Sequence, residues 1–225
     1  MTLKLAIWDL DGTIVDSRKI IQRAMEIAFE SVDLAPPDYD ATRKIVGLRL
    51  DTAISELAPT QTAERLQQMT LNYQNAFVKL RNDPDTPEPL YAGAVEVLQQ
   101  LIEDGWLMGV ATGKSRRGVT KLFEKHDLAQ YFDAHYCADD GPGKPHPHMI
   151  ECNLNHLGCE PENTVMIGDA TFDMVMARNA KVHALGVSWG FGATDEIMGA
   201  GAHEVHHDFG SLKSALDSFR LSEAV

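Results

Sequence analysis

Cysteine is scarce in this chain: Cys137, Cys152 and Cys159 are the three among 225 residues, and they form neither a CxxC pair nor an even set. That excludes a disulfide framework and fits a reducing compartment, with the thiols as small buried or half-buried residues. Positive charge is also in short supply. The 20 Lys and Arg are scattered among 33 Asp and Glu, for a formal charge of -13. Holding nucleic acid takes clustered cations, so no nucleic-acid partner is expected. No stretch approaches the roughly 20 apolar residues of a membrane helix. The N-terminus, Met-Thr-Leu-Lys-Leu-Ala-Ile-Trp, runs straight into Asp9 and Asp11. It therefore lacks the apolar length and cleavage site of a secretory leader, and a cytoplasmic protein without membrane contact is expected. Internal repeats and low-complexity tracts are missing too.

What is present is enough apolar residue, 44% of the chain, for a sizeable core, in one large domain or one carrying a smaller one. Leu3 to Trp8 is a short apolar run ended by Asp-Gly, the pattern of a strand buried on both faces and then turned. From Ser17 to about Leu80 apolar residues recur at three and four (Ile20, Ile21, Ala24, Ile27, Ala28), interrupted by Pro36-Pro37 and Pro59. This spacing predicts a helical insert over residues 16–84. Asp83 to Pro89 carries three prolines and reads as a stiff return linker.

Beyond it, helix and strand alternate. Helices are expected at 92–104, 115–126, 146–157 and 171–179, and strands at 107–111, 135–137, 164–167 and 183–187. Such alternation predicts an α/β fold: a doubly wound, parallel-sheet, Rossmann-like core from 1–15 and 85–225, with the helical insert as a small cap. Ligands of these sheets sit beyond the carboxyl ends of the strands. The polar residues there are Asp9 and Asp11, then Thr112, Gly113, Lys114 and Ser115, then Lys144, and finally Asp169 with Asp173. Each alone has an ordinary reading as a turn, a helix cap or a solvated side chain. Their placement on one sheet edge points to a site.

Four segments in order, Asp9-Leu10-Asp11-Gly12-Thr13, Ala111-Thr112-Gly113-Lys114-Ser115, Gly143-Lys144-Pro145-His146-Pro147 and Gly168-Asp169-Ala170-Thr171-Phe172-Asp173, resemble the haloacid dehalogenase superfamily. The likeness is to its phosphatase branch with a small helical cap, such as phosphoglycolate phosphatases and β-phosphoglucomutases, and covers essentially the whole chain. It implies a phosphatase acting on a small phosphorylated metabolite, with Mg2+ as cofactor, as a monomer or homodimer. Asp9 is then the nucleophile, forming an aspartyl phosphate. Asp11 is the general acid and base and lends its backbone carbonyl to the metal. Thr112 and the backbone N–H of Gly113, at the start of a helix, hold the phosphoryl oxygens, and Lys144 neutralises charge. Asp169 completes the protein ligands of a magnesium ion that keeps several waters, while Asp173 holds Lys144 or a metal-bound water. Thr13 stands where the family's phosphatases usually have Thr and its sugar phosphomutases often have Val, favouring hydrolysis over internal phosphoryl transfer. Asp11 argues against carbon–halogen cleavage, since haloacid dehalogenases lack the second acid.

Other signals weigh less. Three residues separate Gly109 from Gly113, where a P-loop needs four. His146 and His148, and His203, His206 and His207, lack usual zinc-ligand spacing. Lys114, Arg116 and Arg117 read as a solvated first helical turn. Arg49, in the Gly47-Leu48-Arg49-Leu50 turn of the insert, is the candidate to face a second anionic group of the substrate. The competing functions are a β-phosphoglucomutase-type phosphomutase on the same two acids, and a signalling receiver, whose phosphoacceptor lies mid-chain rather than at the start.

Overall fold

The first apolar run forms strand β1 (Lys4–Trp8), buried along most of its length. In the computed structural model, which describes residues 3–219, four helices follow it: α1 (Arg18–Glu30), α2 (Tyr39–Arg43), α3 (Leu50–Leu57) and α4 (Ala63–Leu80). The chain then alternates through α5 (Ala94–Glu103), β2 (Trp106–Thr112), α6 (Arg116–His126), β3 (Ala134–Cys137), α7 (His148–Leu157), β4 (Thr164–Gly168), α8 (Thr171–Asn179) and β5 (His183–Val187). After these come α9 (Thr194–Gly199), β6 (Glu204–His206) and α10 (Phe209–Ser218). The outermost positions of the expected core segments, 1–2 and 220–225, lie outside the described residues.

All six strands are parallel, in the order β3-β2-β1-β4-β5-β6. The winding therefore reverses at β1, and the crevice beyond its carboxyl end is where such sheets bind ligands. Side-chain alternation along β1 divides the core: Ala6 and Trp8 pack with Val97, Leu101, Leu122 and Leu212 on one face, and Leu5 and Ile7 with Met149, Ile150 and Met174 on the other. Both faces are covered by helices, which is why the strand reads as a continuous apolar run.

The helices between β1 and α5 have an apolar cluster of their own, in which Ile21, Met25 and Phe29 of α1 meet Ile54 and Met69, with Phe191 reaching in from the sheet domain. The chain leaves and re-enters the sheet domain through two paired connectors, where Asp16 N–H donates to Pro89 O at 2.8 Å and Tyr91 N–H to Ile14 O at 3.0 Å. The proline-rich return is packed rather than free, since Thr86 and Glu88 are buried within it. Nothing in the sequence reading anticipated α9, β6 and α10. β6 has three residues, of which only His206 is buried, too few to set up an alternation.

Candidate active site

Asp9 follows β1 directly and is 1% exposed. Its Oδ1 lies 2.8 Å from Lys144 Nζ, and the same ammonium lies 2.6 Å from Asp173 Oδ1. Burial disfavours the lysine's charge, but Asp173 and Asp9 outweigh it and hold the pKa above its ordinary value. Asp173 also accepts the Ala170 N–H at 3.1 Å, through Oδ2, so both its oxygens are engaged. Asp169, one residue after β4, accepts from the Thr13 hydroxyl at 2.9 Å and from Phe191 N–H at 2.7 Å. Gly12 makes room for it: with φ at +83°, a Cβ there would come 2.2 Å from Asp169 Oδ2.

Asp9, Asp169 and Asp173 bring carboxylate oxygens within 4.8 Å of one another, all three buried. Burial raises the Asp9 carboxyl to about 7, with Lys144 pulling down and Asp173 and Asp11 adding to the rise. Asp169 is raised well above the carboxylate range by burial and by the charges of Asp9 and Asp173. One ammonium does not balance three acids, and the all-oxygen donor set suits a hard divalent cation. The residues present therefore fit a metal. Asp173 stands inside this cluster rather than beyond it, and it shares the Lys144 ammonium with Asp9.

Asp11 and Thr112 are likewise buried. Lys114 N–H donates to Thr112 Oγ1 at 3.3 Å, which leaves the threonine's own proton to donate. Gly113 lies two residues before Ser115, the N-cap of α6, and so just outside the helix rather than at its first turn. Its lack of a side chain is required: a Cβ would sit 2.5 Å from Gly47 O of the helical insert.

One expectation is corrected. Lys114 is not solvated; its side chain is 7% exposed, with Nζ 2.8 Å from Asp11 Oδ1 and 3.3 Å from Glu88 Oε1. Arg116 and Arg117 do keep solvent contact. Arg49 lines the cavity, but its guanidinium donates to Ala138 O at 2.9 Å and Gly141 O at 3.3 Å and pairs with Asp51. A short turn brings it against the core loop, and these donors join the insert to the core. Glu88 went unnoticed because an acid in a proline-rich stretch looks like solvated linker. Lys114 could have been found from its place two residues after Thr112, on the same edge. The histidines join no metal-ligand group among the described residues.

Between the helical insert and the sheet edge lies a cavity of about 720 Å³, lined by Asp9, Asp11, Thr112 and Lys114 from below and by Leu48 and Tyr73 from above. Residues 6–187 match the family model for haloacid dehalogenase-like hydrolases. The chain is 34% identical over 213 residues to the probable phosphatase IndB of Dickeya dadantii, covering 94% of this chain and 92% of that protein. It is 30% identical over 216 residues to the phosphoglycolate phosphatase of Agrobacterium fabrum, covering 94% and 91%. A crystal structure of a predicted phosphatase from Clostridium acetobutylicum superposes with a TM-score of 0.86 at 25% identity, covering 97% of this chain and 100% of the other. The two relatives bear the names of a probable phosphatase and a phosphoglycolate phosphatase, and this chain belongs to the haloacid dehalogenase-like hydrolase family.

Proposed function

We propose that the protein is a magnesium-dependent phosphatase that hydrolyses a small organic phosphate monoester through an aspartyl phosphate on Asp9. The observation that carries this is the buried Asp9 at the sheet's switch point, 2.8 Å from Lys144, beside Asp169 and facing the cavity.

A carboxylate attacking a phosphate dianion needs cations on both partners. Lys144 supplies one of them. Asp9, the Asp11 carbonyl and Asp169 would hold magnesium, which supplies charge neutralisation when bound. An Asp9 oxygen forms a bond to phosphorus as the bond to the leaving oxygen breaks, and the Asp11 carboxyl gives that oxygen its proton. The Thr112 hydroxyl and the Gly113 N–H donate to the phosphoryl oxygens as charge develops. In the second step Asp11, now a carboxylate, takes a proton from water as the water oxygen bonds to phosphorus, and the acyl phosphate bond breaks to free Asp9 and phosphate. The helical insert, residues 16–84, acts as the cap that excludes water and contacts the leaving group.

Phosphate release across a panel of metabolite phosphates with magnesium tests this reading. Rapid release from at least one small monoester is expected; none from any would sink it. Adding a sugar 1-phosphate with a trace of bisphosphate covers the mutase alternative, since isomerised sugar without free phosphate would replace hydrolysis by transfer.

A further inference from the structure

Lys114 is the least expected group at this site. Its backbone is pinned at both ends, the N–H on Thr112 Oγ1 at 3.3 Å and the carbonyl accepting from Ala138 N–H at 3.0 Å. The ammonium lies between Asp11 Oδ1 and Glu88 Oε1, with the Phe77 ring centroid 5.0 Å away. Glu88 has no exposed side-chain surface, and its other oxygen lies 3.4 Å from Arg81 Nε at the end of α4 and 3.9 Å from Lys125 Nζ. A sealed carboxylate is costly unless paired. Here it anchors the lysine that touches the acid-base residue.

We infer that Lys114, held in place by Glu88, is a positioning residue for the Asp11 carboxyl: it fixes Oδ1 so that Oδ2 is the oxygen that delivers and collects the proton. The inference rests on the phosphatase reading above and goes beyond it. Charge decides between this role and a seat for a substrate anion. Asp11 and Glu88 together offset the two cations most sheltered beside them, Lys114 and Arg81, with side chains 7% and 12% exposed, and Lys125, at 35% exposed, is screened by solvent. A substrate carboxylate at Lys114 would meet an ammonium already engaged by two carboxylates. Proton transfer, in contrast, depends on orientation within a fraction of an ångström.

The test compares Lys114→Gln, Lys114→Arg and the unsubstituted protein by kcat/KM, which reports the steps up to phosphorylation of Asp9. Three magnesium-supported substrates are used: p-nitrophenyl phosphate, whose leaving group needs little protonation; glycerol 2-phosphate, an alkyl ester whose leaving alcohol is uncharged; and phosphoglycolate, an alkyl ester whose leaving alcohol carries a carboxylate. For Lys114→Gln we expect both alkyl esters to lose roughly ten- to hundredfold, the aryl ester to lose several-fold at most, and Lys114→Arg to recover much of the loss. An equal fall for all three esters would mean that Lys114 serves the fold alone. A fall confined to phosphoglycolate would make it an anion contact, and no change would leave it idle; each overturns the inference. Should Lys114→Gln fail to fold, Glu88→Gln, which frees the lysine from its anchor, must show the same split between alkyl and aryl esters or the inference fails. If the unsubstituted protein turned over none of the three or of the wider panel, the phosphatase reading would fall first, independently of Lys114.

Discussion

Lys144 Nζ stands 2.8 Å from Asp9 Oδ1, with the lysine side chain fully buried and the aspartate side chain 2% exposed. The pair joins the end of the central strand to the loop between β3 and α7, so the charge that balances Asp9 comes from far along the chain. The one ammonium serves a cluster of three buried acids, Asp9, Asp169 and Asp173, and the following expectations come from that imbalance and from the groups that hold it.

Asp9→Asn should reduce phosphate release by roughly 10⁴-fold or more, as loss of a nucleophile does. It should also change stability in the absence of metal. The Asp9 carboxyl is raised from 3.8 to about 7 on folding, so the folded state binds its proton more tightly than the unfolded one. Its contribution is favourable below about pH 4 and is lost as the pH climbs through 7. In metal-free protein the melting temperature of Asp9→Asn should thus overtake that of the parent between these values, by roughly 2–4 °C per kcal/mol. Parallel pH curves would contradict this.

Removing divalent cations should abolish turnover, and magnesium should restore it while raising the melting temperature, because the ion binds the folded acids and relieves their repulsion. Full activity after exhaustive chelation is the outcome that would exclude the metal.

Thr13→Val keeps the volume of a fully buried residue but removes the hydroxyl that donates to Asp169 Oδ1 at 2.9 Å. A hydrogen bond to a charged group contributes about 1.5–3 kcal/mol. The magnesium concentration needed for half-maximal activity should rise roughly ten- to hundredfold, with the far-ultraviolet circular dichroism unchanged. An unaltered magnesium titration would show that the hydroxyl does not orient Asp169.

Arg49→Ala should lower kcat/KM several-fold and to the same extent for phosphoglycolate and for p-nitrophenyl phosphate. Its donors go to Ala138 O and Gly141 O, so its loss loosens the contact between insert and core rather than a contact to the leaving group. A fall restricted to phosphoglycolate would assign Arg49 the anion-binding role instead.

The alternation of apolar runs with three-and-four spacing is a local property, and it placed five of the six strands and the insert's helical character, because buried strands and amphipathic helices each carry their own period. The four acids, Thr112 and Lys144 were legible for a related reason: in a doubly wound sheet chemistry gathers where strands end, and strand ends can be counted along a chain. The structure alone decided what those residues do to one another. Whether Lys114 points to solvent or into the site depends on Glu88, a buried partner 26 residues away, and on Arg81 beyond it. The allegiance of Arg49 depends on carbonyls about 90 residues distant. Side chains choose partners by distance and by the cost of burying charge, and neither is defined until the chain has brought remote segments together. Sequence by itself determined the strands, the helical insert and the inventory of reactive groups; only the tertiary fold decided which ammonium faces which carboxylate.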